Sequence, residues 1–142
     1  HAVDEEEYRN LAKNNLSLGR GRMDFGHVSD EMMCYYFSAA DILCVPYREI
    51  YQSGIAQFGL IYDMPIIGSD LKRMSDMVQQ GINGETFENE NIEALTEAII
   101  TLSIDKQKME KYSVGSKIIS ERDFSVEERA RRTVEAYKKI LN

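Results

Sequence analysis

Short, unbroken apolar runs alternate with helix-length segments in this chain, and that alternation constrains the fold more than any other feature. "DILCVP" (41–46) and "MPIIGSD" (64–70) lack the every-other-residue polarity of a strand with one wet face. Runs of this kind suit strands buried on both faces, as in a parallel sheet covered by helices. Helical segments follow each of them: one from about Ser53 to Tyr62, then "LKRMSDMVQQ" (71–80), whose apolar residues recur at helical spacing. "GINGETFE" (81–88) reads as a turn leading into a short strand. Residues 91–102 are amphipathic through Ile92, Leu95, Ile99 and Leu102.

The flanking regions extend the pattern. The first fifteen residues read as a helix, with Asp4 and Glu7 at capping-box spacing and Val3 and Tyr8 at the spacing of a hydrophobic staple. "RMDFGHV" (22–28) is expected to be a short strand ending near Gly26. Ser29 then caps a helix over "DEMMCYYFSAAD". Residues 105–119 are expected to form a helix interrupted or ended near Gly115. A second capping box, Ser125 with Glu128, opens a last helix whose face is Val126, Ala130, Val134, Tyr137 and Leu141. Strand and helix alternating through short connections predict an α/β fold, a Rossmann-like parallel sheet flanked by helices with additional helices at the C-terminus. The 142 residues make one domain on this reading.

Charge excludes one class of partner. With 17 Lys and Arg against 24 Asp and Glu, the formal charge is −7, so no excess of cations is available to track a nucleic acid backbone. Two cysteines, Cys34 and Cys44, sit in apolar runs; one disulfide is arithmetically possible, but they read as two buried free thiols in a reducing compartment. Two histidines without a Cys-x-x-Cys pair argue against a structural zinc site. No apolar run approaches the ~20 residues that span a bilayer, which predicts a soluble, cytoplasmic chain.

Chemistry concentrates in "PYREIYQSGIAQFGLIYDMPII" (46–67), where polar residues crowd the mouth of a strand-to-helix turn. In open parallel sheets, ligands bind beyond the carboxyl ends of the strands. Three expected loops lie there: Gly26-His27-Val28, Pro46 to Ser53, and Ser69 to Arg73. If their strands are neighbours, the loops converge on one crevice. A helix starting at Ser53-Gly54 then offers free N–H groups and a positive dipole end to a phosphate, which Gly54 lets approach closely. Glu49 is suited to accept hydrogen bonds from hydroxyls, and Gln57, one turn beyond Ser53, can hydrogen-bond a diol. Hydroxyls, a diphosphate and a diol in that order describe a nucleotide-sugar. The plainer alternatives are an Arg48–Glu49 ion pair on a solvated loop, an ordinary Ser cap, a His27 that is simply a loop residue, and exposed loop charges at Lys72 and Arg73.

The order of these residues resembles the retaining glycosyltransferases of family 4, in the donor-binding second half of their two-domain GT-B fold. The resemblance runs through "FGHVSDEMMCYYFSAADILCVPY", "EIYQSGIAQFGLIYDMPIIGSD" and "MVQQGINGETFE". Glu49 matches the first position of the family's Glu-x7-Glu hallmark, and Gln57 stands at the second. The resemblance implies that Glu49 is the catalytic-site residue that contacts donor-sugar hydroxyls. It further implies that Ser53, Gly54 and Ile55 hold the diphosphate, that Gln57 meets the ribose hydroxyls, and that Gly26, His27 and Val28 lie along the base. No metal and no separate cofactor are required on this reading.

The sequence departs from the family at Gln57, where a neutral amide replaces a carboxylate, and at Lys72, Arg73 and Asp76, where the family often has two glycines and a Glu. The family's diphosphate-clamping Arg and Lys would precede residue 1, together with the first strand and the acceptor-binding half. The chain is therefore expected to be a donor-binding fragment, inactive alone, of an enzyme that builds polysaccharides or glycoconjugates. The resemblance implies a nucleotide-sugar donor, a saccharide or lipid-linked acceptor held through the N-terminal half, no nucleic acid, and peripheral association with the inner face of a membrane through the last helix. The alternatives from other classes are a non-catalytic nucleotide-binding module and a Rossmann-like interaction domain.

Overall fold

A computed structural model describes residues 6, 9, 10, 13, 21 and 23–141. The chain forms two compact units, residues 1–36 and 37–142. In the first, Glu6, Arg9, Asn10 and Lys13 are helical; the pairs Asp4/Glu7 and Val3/Tyr8 lie outside the described residues. The Arg9 guanidinium stands 4.2 Å above the Phe25 ring, and the Tyr36 hydroxyl donates to the Asp24 carboxylate. Residues 23–25 form no strand, contrary to the expectation for "RMDFGHV", and Gly26 bends the chain at φ +92°. An isolated extended stretch gains nothing without a ladder partner, and here Asp24 and Phe25 are engaged by side chains instead. Helix α1 (Asp30–Ala39) starts as expected, with the Ser29 hydroxyl accepting from the Met32 N–H at 3.3 Å.

The second unit is built on three parallel strands, β1 (Leu43–Val45), β2 (Ile66–Ser69) and β3 (Gly84–Phe87), in that spatial order. Leu43 pairs with Ile66 and Ile66 with Gly84, so the carboxyl ends of all three strands lie on one edge of the sheet. The unbroken apolar runs are explained by the two faces of β2. Ile66 packs with Val45, Ala56, Leu60, Met74, Met77, Val78 and Ile119, whereas Ile67 packs with Phe87, Leu102 and Tyr112. Each fully buried Leu or Ile contributes about 1.5–3 kcal/mol.

Helix α2 (Gly54–Ile61) covers the first face, and α3 (Ile92–Ile104) supplies Leu102 to the second. Asn91 caps α3 by accepting the Ala94 N–H at 2.9 Å, and Asp105 caps α4 (Lys106–Ile119) through Lys108 at 2.9 Å. The expected break at Gly115 does not occur: α4 runs through it and ends in a π-turn at Ser120–Phe124. Gly115 is required by close packing, since a Cβ there would sit 2.1 Å from the Ile82 carbonyl oxygen. Residues 71–80 are not a helix either. Successive turns carry Met74, Met77 and Val78 inward, with Met74 donating to Leu71 O at 2.8 Å and Val78 to Met74 O at 2.8 Å.

The last helix, α5 (Val126–Leu141), begins with the Ser125 hydroxyl accepting from Glu128 N–H at 3.2 Å. Only that half of the capping box forms. The Glu128 carboxylate turns to Arg131 and Arg132, each at 2.6 Å, and these guanidinium groups hold its pKa down to about 2. Both cysteines are free, but only Cys44 is partly buried, which pushes its thiol up; Cys34 is exposed, contrary to the expectation of two buried thiols. Among the described residues, no helix is long and apolar enough to cross a membrane.

Candidate functional site

The sheet edge that gathers the strand ends also gathers two of the expected loops. Ser69, the last residue of β2, donates its hydroxyl to the Tyr47 carbonyl at 2.6 Å, which fixes the mouth of β1 to that of β2. Arg73 donates to the Tyr51 carbonyl at 3.1 Å. Asn89, just beyond β3, adds a third clasp: its side chain donates to the Arg48 carbonyl at 3.0 Å, and its N–H donates to Asp70 at 2.9 Å. The 46–53 segment is thus held from both neighbouring loops, which is how a fixed geometry is obtained from irregular backbone.

Ser53 is 3% exposed and extended (φ −124°, ψ 105°), as an N-cap requires. Its Oγ accepts the Ala56 N–H at 3.0 Å and lies 3.2 Å from the Tyr47 hydroxyl. The first-turn N–H groups of a helix have no intrahelical carbonyl to meet, and this cap takes only that of Ala56. The Gln57 N–H reaches Ser53 O at 3.4 Å, leaving the amides of Gly54 and Ile55 at an exposed helix start. A Cβ on Gly54 would meet nothing within 4 Å. Among the described residues, no neighbouring side chain fills the space above this glycine.

Gln57 is half-buried, and its Oε1 accepts from Arg129 Nη2 at 3.3 Å. It lines a cavity of about 550 Å³ whose walls include Tyr51, Gln52, Arg73, Asp76, Asp123 and Arg132. Arg132 is held there by Asp123 at 3.2 Å and by Glu128 at 2.6 Å. Glu49 is exposed on the loop and is not part of that wall. The ion pair expected of a plain surface loop does not form, because Arg48 pairs with Glu90 at 3.3 Å and not with Glu49. A smaller hollow of about 160 Å³ lies at the strand ends, bounded by Pro46, Arg48, Ser69, Phe87 and Asn89.

Gly26, His27 and Val28 belong to the first unit. Gly26 has open space at its Cβ position, His27 is exposed and Val28 is half-buried. Lys72 is exposed and does not line the large cavity, whereas Arg73 does. Among the described residues, no group of three or more His, Cys, Asp or Glu side chains could hold a metal ion. Tyr47 and Asn89, which brace the loop, Asp123 and Arg132, which line the cavity from the C-terminal segment, and Arg129, which holds Gln57, were not singled out from the sequence as site residues. Arg129 lies 72 residues from Gln57, and no local signal announces such a contact.

A doubly covered parallel sheet with a capped helix start and a polar cavity lined in part by the loops that follow β1 and β2 defines an α/β domain of Rossmann-like type, and solved structures place it in the GT-B glycosyltransferase fold. Sucrose-phosphate synthase from Thermosynechococcus elongatus superposes with a TM-score of 0.83 at 19% identity, over 96% of this chain and 34% of that one. A glycosyltransferase from Rickettsia africae ESF-5 gives 0.80 at 23% identity, over 97% of this chain and 38% of that one. The chain therefore spans little more than a third of the length of either neighbour. No curated protein matches the sequence. Residues 3–105 match the family described as glycosyl transferases group 1, and the chain belongs to that family.

Proposed function

We propose that this chain is the donor-binding part of a retaining glycosyltransferase that takes a nucleotide-diphosphate sugar and transfers the sugar to a saccharide or glycoconjugate acceptor. The observation that carries the reading is the start of α2: a rigidly capped helix end, with the Gly54 and Ile55 amides presented beneath open space and beside a polar cavity. The diphosphate sits at those amides, where the N–H groups and the helix dipole stabilise negative charge. That stabilisation grows as the leaving diphosphate gains charge, which is the sense in which such a site is catalytic. Glu49, unpaired among the described side chains, accepts hydroxyls of the donor sugar. Gln57 meets the ribose diol, with its Oε1 already fixed by Arg129. The acceptor is held by a further domain, and neither a metal nor a separate cofactor takes part. The setting is polysaccharide or glycoconjugate assembly in the cytoplasm, with peripheral contact to the membrane's inner face.

Titration with UDP, GDP and ADP, followed by amide NMR shifts, tests the reading. Saturable shifts at residues 53–57 are expected for the nucleotide of the donor, and Gly54→Val is expected to abolish them. Because the Gly54 Cβ position is empty, the valine clashes with the ligand and not with the protein. A folded chain whose 53–57 amides ignore all three nucleotides at millimolar concentration overturns the proposal.

A further inference from the structure

We propose that Arg73 supplies the cation that binds the ligand's phosphoryl groups in the large cavity, an inference that rests on the donor-site reading above and assigns its charge recognition to one residue. The cavity wall carries two arginines and two aspartates, but they are not equivalent. Arg132 is bound by Asp123 and by Glu128, so its charge is spent within the protein. Arg73 forms no ion pair with Asp76 or with any other described carboxylate; among the described residues its hydrogen bond is the Nη1 donation to the Tyr51 carbonyl at 3.1 Å. A carbonyl orients a guanidinium without neutralising it.

That tether sets Arg73 against the residues that lead directly into Ser53 and the α2 start, with Gln52 and Gln57 on the same cavity wall. A guanidinium has five N–H donors in a planar fork, so four remain for a bidentate grip on phosphoryl oxygens. The α2 start lies in the chain between Gln52 and Gln57, both on this wall, so an anion gripped by Arg73 lies beside the helix-start amides, and each is more effective where the other lowers the cost of bringing a multivalent anion in. Asp76, at another point of the wall and without an ion pair among the described residues, suits neutral hydroxyls rather than the anion. The division fits a phosphorylated polyol better than a neutral sugar or a simple carboxylate.

The test is calorimetric titration of the chain with inorganic pyrophosphate, with UDP, GDP and ADP, and with the corresponding nucleosides, in parallel with Arg73→Gln and Arg73→Lys. Arg73 is exposed, so unchanged thermal melts are expected for both variants. Arg73→Gln is expected to weaken the preferred nucleoside diphosphate and pyrophosphate roughly tenfold to hundredfold, the span of a lost charged hydrogen-bond pair. Nucleoside affinity should not move, which separates charge recognition from a merely structural role. Arg73→Lys recovers part of the loss, since the charge stays but the fork geometry does not. If nucleotides shift amides 53–57 and Arg73→Gln leaves their affinity unchanged, this inference is overturned and the donor reading stands. If pyrophosphate binding depends on Arg73 while no nucleotide binds, the anion site stands and the nucleotide reading is overturned.

Discussion

At the scale of single residues, two glycines illustrate opposite reasons for the absence of a side chain. Gly54 faces nothing, so its smallness matters only to whatever enters from outside. Gly115 sits with the Ile82 carbonyl oxygen 2.1 Å from where a Cβ would be and the Ile82 carbonyl carbon at 2.7 Å, both backbone atoms that cannot swing away. Gly115→Ala is therefore expected to cost about 1–3 kcal/mol despite the better helix propensity of alanine, because α4 and the 82–83 turn must separate. Urea unfolding measures it, and a neutral or stabilising effect would show that the two segments are not in contact. Asn83, fully buried beside this turn, donates to Met77 O at 2.8 Å and accepts from Gln79 N–H at 2.7 Å. The same urea measurement on Asn83→Ala is expected to show a loss of about 1–3 kcal/mol, since it strands both backbone groups.

At the scale of elements, β3 and α4 are joined by a polar cluster on an otherwise apolar face. Glu85 accepts from Tyr112 at 2.5 Å and also meets Lys108 and Gln80. Burial raises the Glu85 pKa, but the hydrogen bonds from Lys108, Tyr112 and Gln80 and the Lys108 charge outweigh it, so the net shift is downward. A lowered carboxylate pKa stabilises the fold above its ordinary value of 4.5, and the contribution is lost as pH falls through the folded-state value. Glu85→Gln should thus cost about 1–2 kcal/mol at neutral pH, and the gap from the parent should close as urea midpoints are followed below pH 4. A gap that stays constant with pH would mean the carboxylate charge is not what joins the elements.

The ladder itself was legible in the sequence because continuous apolar runs such as 41–46 have few other uses than a strand covered on both faces. The turns at 71–80 were not legible. Leu71, Met74, Met77 and Val78 are spaced as on a helix, and successive three-residue turns bury the same positions. Asn83 captures the Gln79 N–H at the end of this segment, and such a contact cannot be seen as periodicity. The helix start at Ser53 was legible through its cap chemistry, whereas Tyr47, Asn89 and Arg129 reach the site across sequence separations that carry no local pattern.

At the scale of the whole molecule, the second unit's core and its candidate site depend on different parts of the chain. Helix α5 has no buried residue, and Val126, Val134, Tyr137, Ile140 and Leu141 are all more than half exposed. Its links to the rest are polar: Arg129 to Gln57 at 3.3 Å, Arg132 to Asp123 at 3.2 Å, and the Arg129 guanidinium 6.0 Å above the Phe124 ring. Exposed pairs of this sort contribute about 0–1 kcal/mol each. Ending the chain after Ser125 is therefore expected to lower stability only slightly and to leave a single cooperative transition of the 37–125 core. The site should respond differently, because Gln57 loses the partner that orients its amide and the cavity loses Arg132. On the proposed assignment of Gln57 to the ribose and Arg73 to the phosphoryl groups, nucleoside affinity should drop in the shortened chain, while pyrophosphate affinity should persist. Collapse of the thermal transition on removing α5 would instead make the helix part of the core, and equal losses for both ligands would mean that the two ends of the cavity do not act separately.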